Sequence, residues 1–368
     1  MSEPTRVLEM VAALNFGGSQ AMIINLVKAM DKKKVHCDFI IDHTEPELNG
    51  LMETVEKLGC KVYVVPTFKG GNINEVSKAW NELFDNHPEY EILHSHSRSY
   101  ASLYLPIAKR HGLKTIIHSH NTSNGKGLTS VVKNLLQYPL KKQADYFFGC
   151  SKEAGEWLFG KKIVEGNKFY VINNAIDADR YGYEEETRRR YRKEFCLGDE
   201  KIFIQVGRLS KQKNHLFTLE TFAKYLEKHP SDKLLIVGNG ELEETIKKRI
   251  VELRIEDSVI HLENRNDVDC LLKMADCFLM PSLFEGLSVA AVEAQASGIR
   301  CLFSDKVDRN CVMTDLCEFL PLDEDIWVNK MEEEYIRTDT KKEIADAGFD
   351  VNTNARWLED FYTRIANE

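Results

Sequence analysis

No run of about 18 consecutive apolar residues occurs in the chain, so no segment reads as a membrane-spanning helix. The opening residues MSEPTRVLEM lack the apolar centre of a secretory signal, and the chain is expected to be cytoplasmic. A C-x-x-C pair is missing too. The nine cysteines are odd in number, and Cys37, Cys60 and Cys150 close or flank apolar runs, as reduced, buried small hydrophobes do. An excess of basic charge is absent: the net charge is −9, which argues against nucleic acid as a partner. There is no short-period repeat and no low-complexity linker. What is present is an ordinary globular mixture, 43% apolar and 29% charged. Its 368 residues suffice for about two domains, each with its own core.

Charge is distributed unevenly. Residues 1–180 hold 22 Lys+Arg against 20 Asp+Glu, while the remainder is strongly acidic, and eight of eleven histidines precede residue 180. The first half is the better candidate for an anionic surface or substrate. Strand-like runs at 6–14, 35–41, 61–65, 91–96, 114–120, 145–150 and 169–173 alternate with helical patterns near 19–30, 47–58, 74–86, 99–111, 127–141 and 152–160. A charged helical run at 184–196 interrupts this, and alternation restarts with strands at 201–206, 233–237, 258–262, 276–280 and 300–303. Alternation with near-continuous apolar strands predicts an α/β fold of two facing Rossmann-like, doubly wound domains. The expected division is 1–180, completed by the helix at 351–368, and 181–350. Chemistry is expected outside the carboxyl ends of the strands.

Five motifs fall at such ends. In PSLFEGLSVAAVEAQASG (281–298), a strand leads through Glu285-Gly286 into a helix. Ser288 suits its N-cap and Gly298 the left-handed residue after its end. The amides of Gly286, Leu287 and Ser288 are expected to face an anion. A diphosphate there leaves one of the carboxylates Glu285 and Glu293 for sugar hydroxyls and the other for a ribose diol. VGRLSKQKNH (206–215) puts Arg208 and Lys213, with Lys211 as competitor, in one loop that can clamp a diphosphate. VGNGELEE (237–244) lacks a third glycine; Gly238 and Gly240, with Arg265, are candidates to border a base. Gly17 and Gly18 in NFGGSQ permit close backbone approach at a helix start. Finally, His94/His96 and His118/His120 end two strands in HSH. No carboxylate or cysteine joins them at ligand spacing, so no metal is expected, and His120 is the candidate for substrate contact. The D-x-D triplets at 177–179, 267–269 and 323–325 lie at turns and helix starts, where acidic residues are ordinary.

Taken together, the early Gly-Gly, V-G-R-L-x-x-x-K-N, V-G-x-G and P-S-x-x-E-G-x-x-x-x-x-x-E-A resemble, in order and spacing, the family 4 glycosyltransferases of the GT-B fold. The stretch from Ser282 to Gly298, followed by C-L-F-S-D, is similar to the branch that builds bacterial capsule and exopolysaccharide. The resemblance implies a retaining transfer from a nucleotide diphosphate sugar, most often UDP-linked, to a saccharide or lipid-linked acceptor, with no essential metal and no cofactor. It assigns Glu285 to the donor sugar, Glu293 to the ribose, and Arg208 with Lys213 to the diphosphate. Gly17 and Gly18 fall on the donor phosphate and acceptor side, and His120 matches the family's cleft histidine. Asn174 matches an Asn in V-I-P-N-G-V-D, although Asn173 and Ala175 replace its Pro and Gly. After Asp305 the chain departs from the family's G-G-x-P-E, so no contact is carried to 306–320.

The implied reaction breaks an anomeric C–O bond as a nucleoside diphosphate departs. Cationic side chains and helix-start amides meet the growing negative charge. Same-face attack, with the leaving phosphate taking the acceptor's proton, suits a Glu285 directed at sugar hydroxyls. Two rivals stay open: a UDP-sugar 2-epimerase of the same two-domain build, and an inactive nucleotide-sugar-binding subunit. Segment 126–142 sets Leu128, Val131, Val132, Leu135 and Leu136 on one helical face among lysines. It reads as a helix packed on the first domain, whose rim would also suit peripheral contact with the inner face of the membrane.

Overall fold

The computed structural model describes residues 3–15, 18–45, 49–120, 136–263 and 265–368. The chain divides into two units, Met1–Ala175 with Val351–Glu368, and Ile176–Asp350. The division precedes residue 180 because Ile176 donates its N–H to Phe349 at 2.9 Å, and Ile176, Ala178 and Tyr181 join the second unit's core.

The first unit is built on β1 (Thr5–Met10), β2 (Val35–Ile41), β3 (Val62–Val64), β4 (Ile92–Ser95), β5 (Lys114–Ser119), β6 (Tyr146–Gly149) and β7 (Phe169–Val171). These lie in the order β3-β2-β1-β4-β5-β6-β7, with every neighbouring pair parallel. Side chains alternate between faces with period two. Val7, Ile92 and Ile116 therefore reach one core, while Leu8, Leu93 and Ile117 reach another. The first core is covered by two helices, Gly18–Ala29 and Val351–Ala366. In the latter, Val351, Ala355, Leu358, Phe361, Tyr362 and Ile365 are buried, a three-and-four spacing that gives one apolar stripe. The last helix of the chain thus completes the first unit.

The second unit uses β8 (Ile202–Val206), β9 (Lys233–Val237), β10 (Val259–Leu262), β11 (Cys277–Met280), β12 (Arg300–Ser304) and β13 (Cys317–Leu320). Their order is β10-β9-β8-β11-β12-β13, again parallel. Both sheets are thus doubly wound, with buried clusters on each face.

Two expectations need correction. β1 ends at Met10, although the apolar run continues to Leu14; Val11, Ala13 and Leu14 are buried as loop residues. Strand β13 was not anticipated, because C-E-F-L is too short to show a period; it pairs with β12 at the sheet's edge. Of segment 126–142, residues 126–135 lie outside the described residues. Leu140 packs into the first unit's core, whereas Tyr138 is exposed. Among the described residues, no helix is long and apolar enough to cross a membrane.

Candidate active site

In the second unit, β8 ends at Val206 and Gly207 turns the chain with φ 150°. Lys211–Lys213 make one 3-10 turn, and Asn214 follows in the left-handed region at φ 56°. That conformation costs a non-glycine residue on the order of 1 kcal/mol or more. It is held because Asn214 Nδ2 donates to the Pro281 carbonyl at 3.1 Å. Leu283 donates its N–H to the Gln212 carbonyl at 2.8 Å, and Gln212 Nε2 donates to the Phe284 carbonyl at 3.0 Å. Buried Gln205 donates to the Lys213 carbonyl at 2.8 Å. These bonds lace loop 206–215 to loop 281–287. The result brings Lys213 Nζ to 2.5 Å from Glu285 Oε2, with the two side chains only 15% and 12% exposed. Arg208 is not part of that pair. It is 75% exposed and meets Glu241 at 3.1 Å.

The helix Val289–Ala296 begins directly after this loop. Ser288 precedes it but makes no side-chain cap, contrary to expectation. Its N–H is not free for an anion either, because it donates to Cys311 Sγ at 3.4 Å. The thiol in turn donates to the Gly286 carbonyl at 2.8 Å. Segment 306–320 therefore supports the loop: Asp308 donates its N–H to the Glu285 carbonyl at 2.9 Å, and Cys311 fills the helix start. Gly286 is exposed with open space about it, and Leu287 packs against the core. Gly298 is left-handed at φ 68°, as expected, and a Cβ there would lie 2.0 Å from the Thr338 carbonyl.

Glu293, within the helix, accepts from the Tyr181 hydroxyl at 2.5 Å. Burial pushes its carboxyl up to about 7, against the opposing pull of that hydroxyl. Gly238 and Gly240 are explained inside the fold. A Cβ at either would lie 2.2 Å from the Gly207 carbonyl or 2.5 Å from that of Leu209. The close approach they permit is to the neighbouring loop, so glycine there needs no ligand. Arg265 turns to Asp267, with bonds of 2.8 and 2.6 Å. Asp267 also accepts from Tyr191, and Asp269 accepts from Arg180, so this D-x-D triplet is spent on internal pairs.

In the first unit, period two and parallel register gather the histidines. Glu9 on β1 lies opposite His94 on β4, and His94 lies opposite Ile116 on β5. His96, His118 and His120 then share the same face. His96 Nε2 is 2.8 Å from Glu9 Oε2, and His96 Nδ1 is 2.8 Å from His120 Nε2. The Tyr362 hydroxyl donates to Glu9 Oε1 at 2.9 Å and lies 2.5 Å from His94 Nδ1, whose Nε2 is 3.3 Å from His118 Nδ1. A cavity of about 10 Å³ sits among Glu9, His94, His96, His118 and Tyr362. Burial pushes Glu9 up to about 8 and His96 down to about 3; His94, His118 and His120 are also driven well down by burial.

A carboxylate does join the histidines, therefore, although none is near them in sequence. His94, His96 and His118 each offer a ring nitrogen within 4.8 Å of the others, a spacing that suits an ion. Their rings are stacked, however: His94 and His96 at 4.3 Å and 30°, His94 and His118 at 5.4 Å and 8°. In this structure these side chains form a hydrogen-bonded network.

Gly17 lies outside the described residues, and Gly18 opens the helix Gly18–Ala29. Asn214 was seen only as the last residue of V-G-R-L-x-x-x-K-N, with no role given to it; sequence reasoning missed Glu9, Tyr362, Tyr181, Gln205, Gln212 and Cys311. Of these six, Glu9 alone left a signal, as a lone carboxylate inside the apolar run V-L-E-M-V.

Comparison with known proteins matches residues 16–180 to the model "Glycosyltransferase Family 4" and residues 187–314 to "Glycosyl transferases group 1". The chain is 28% identical to a putative glycosyltransferase EpsF of Bacillus subtilis, over 98% of this chain and 97% of that one. It is 29% identical to an Escherichia coli UDP-Gal:alpha-D-GlcNAc-diphosphoundecaprenol alpha-1,3-galactosyltransferase, over 61% and 60% of the two. Among solved structures, a Rickettsia africae glycosyltransferase shares the fold with a TM-score of 0.75 at 17% identity, over 99% of each chain. Anabaena HepE, solved in complex with UDP, shares it at 0.68 and 14%, over 99% of this chain and 97% of that one.

Proposed function

This chain belongs to the family 4 glycosyltransferases of the GT-B fold, and from that premise we propose that it moves a sugar from a UDP-sugar to a lipid-linked saccharide during assembly of a surface polysaccharide, with retention at the anomeric carbon. The observation that carries the reading is the Lys213–Glu285 pair, laced to the ends of β8 and β11 by Gln205, Gln212 and Asn214. A partly buried ammonium already paired with a carboxylate is a site an incoming diphosphate can share. Arg208, exposed on the same loop, is free to leave the weak surface partner Glu241 for phosphate oxygens. The donor's nature is supported by HepE, which was solved with UDP, and the acceptor's by the diphosphoundecaprenol substrate of the Escherichia coli relative.

Negative charge grows on the diphosphate as the anomeric bond breaks, and cations on a fixed loop stabilise it most at that moment. Glu285 is committed to Lys213 and makes a poor nucleophile. Attack from the leaving group's own face therefore suits this site, with the departing phosphate taking the acceptor's proton. Glu293 serves the ribose and His120 the sugar; neither role calls for a metal.

The test is a thermal-shift panel of nucleotide sugars, followed by product analysis with and without an undecaprenyl-diphosphate saccharide, in EDTA. A donor at about 100 times its dissociation constant adds about 2.7 kcal/mol of apparent stability. The expected outcome is stabilisation by a UDP-sugar and acceptor-dependent transfer that survives EDTA. A converted sugar without acceptor would identify an epimerase, and binding without product an inactive subunit.

A further inference from the structure

We propose that Glu9, acting through His96, decides which ring nitrogen of His120 carries the proton. Glu9 and His96 are then positioning residues for the histidine assigned above to the sugar. The inference rests on that assignment only for its catalytic meaning, not for its geometry.

The argument is one of hydrogen-bond polarity. Each neutral imidazole has one N–H and one bare nitrogen. With Glu9 ionised, His96 must donate from Nε2 to Glu9 Oε2, so its Nδ1 is bare and accepts from His120 Nε2. His120 Nδ1 is then left bare. It is buried and has no partner among the described residues. With a proton on Glu9 Oε2, every bond reverses. Glu9 donates to His96 Nε2, His96 Nδ1–H donates to His120 Nε2, and His120 carries its proton on Nδ1. A proton arriving at His120 Nδ1 is thus matched by His120's Nε2 proton passing to His96 Nδ1, and His96's Nε2 proton passing to Glu9. All imidazoles stay neutral throughout, as their burial demands.

A second branch leaves the same carboxylate. Tyr362 donates to Glu9 Oε1, His94 Nδ1 donates to the Tyr362 oxygen, and His118 Nδ1 donates to His94 Nε2. This leaves His118 Nε2 bare, and it too is buried without a partner among the described residues. A proton on Oε1 reverses this branch instead. The groups facing Glu9 are His94 on β4 and His96 just after it, His118 on β5, Cys37 on β2 and Tyr362 on the last helix; the first helix offers Ile23, Leu26 and Val27, with Met30 just beyond it. His120 is faced by His96, His118 and the Arg98 guanidinium, which opposes an imidazolium there. Both directions favour a line that relays protons without storing charge on its histidines.

The experiment is nitrogen NMR of histidine-labelled full-length protein from pH 6 to 10, without substrate, with His120 assigned by the signals lost in His120→Asn. The wild type should hold the Nε2–H tautomer at the alkaline end and shift toward Nδ1–H at the acid end, to the extent that the proton sits on Oε2, with the midpoint of Glu9, near 8. Glu9→Gln should abolish the transition, since an amide does not titrate. Tyr362→Phe removes a donor that favours the ionised carboxylate and closes the second branch. Its transition should be complete and move up by about one pH unit. A His120 tautomer fixed across the range in both the wild type and Tyr362→Phe would overturn the proposal, as would an unchanged transition in Glu9→Gln. Full transfer activity in His120→Asn would instead sink the catalytic assignment and leave the relay intact.

Discussion

The two sheets handle ionisable side chains in opposite ways. The first unit buries a carboxyl and three histidines on its central strands and the residues just after them, far from water, and keeps each one neutral through burial and mutual hydrogen bonds. The second unit leaves β8 and β11 without a carboxylate or imidazole and sets Lys213 and Glu285 in the loops that follow, where a partly exposed pair can stay charged. A neutral buried network can hand on protons but cannot neutralise a diphosphate. A charged loop pair can meet a diphosphate, and its partners can be exchanged when the ligand arrives. The division of labour proposed for this enzyme follows from where each unit lets charge survive.

The largest expected difference between the units is in acid. His94, His96, His118 and His120 carry no second ring proton in the folded first unit but take one each when unfolded below about 6.5. The unfolded state then binds more protons, so stability is lost as pH falls through that value, by up to about 5 kcal/mol per pH unit. Glu9 works the other way. Its carboxyl keeps a proton to about 8 in the fold but loses it near 4.5 when unfolded, so its contribution declines as pH rises between those values. The first unit should therefore be most stable near pH 6.5. In the second unit His215 is the buried histidine driven down by burial, to about 4. Hydrogen exchange at pH 5.5 should show β1, β4 and β5 losing protection before β8 and β11; equal loss would break the contrast.

Next in size is the charged pair itself. Lys213→Ala should lower turnover by roughly 10²–10³ while changing the donor's Michaelis constant far less, because the contact strengthens as the leaving group gains charge. Arg208→Ala should act in the same sense and more weakly. That guanidinium is 75% exposed and must first leave Glu241. Steady-state kinetics beside melting curves decide the matter. Near-wild-type turnover in a folded Lys213→Ala protein would detach loop 206–215 from the leaving group.

How much of this was legible in the sequence differs between the units for the same reason. Both sheets could be read, because apolar strands and amphipathic helices leave periodic traces over many residues. Lys213 and Glu285 could be read because each sits in a short motif beside a strand end. The link between them could not: Gln205 and Gln212 act through backbone carbonyls, and Asn214, although it closes the V-G-R-L-x-x-x-K-N motif, shows neither its left-handed turn nor its bond to Pro281 in the sequence. Cys311 lay in the segment that departs from the family, and its role depends on packing against a helix start. The histidines were seen as two pairs, but Glu9 and Tyr362 meet them only because β1 lies beside β4 and the last helix of the chain returns to the first unit. Partners joined across such distances are set by topology, and local spacing is silent about them.

The smallest expected effect concerns Glu293, whose position falls between the two regimes: a carboxyl at the edge of the second unit's core, pushed up to about 7 by burial and held by the Tyr181 hydroxyl. A ribose diol presents two O–H donors and is best met by the ionised form. UDP affinity in the wild type should therefore rise as pH passes upward through about 7, since below it the carboxyl holds a proton and loses an acceptor. Glu293→Gln removes the charge while keeping the shape, and should weaken UDP about tenfold at pH 8, equivalent to about 1.4 kcal/mol. At pH 6 the variant and the wild type should differ little, because the wild type is then neutral as well. The contact changes hardly at all during bond cleavage, so turnover at saturating donor should stay near wild type, unlike in Lys213→Ala. Calorimetry with UDP at the two pH values measures the difference directly. A wild-type affinity that is flat between them, with Glu293→Gln equally tight at pH 8, would remove Glu293 from the nucleotide site and return it to the core as a partner of Tyr181 alone.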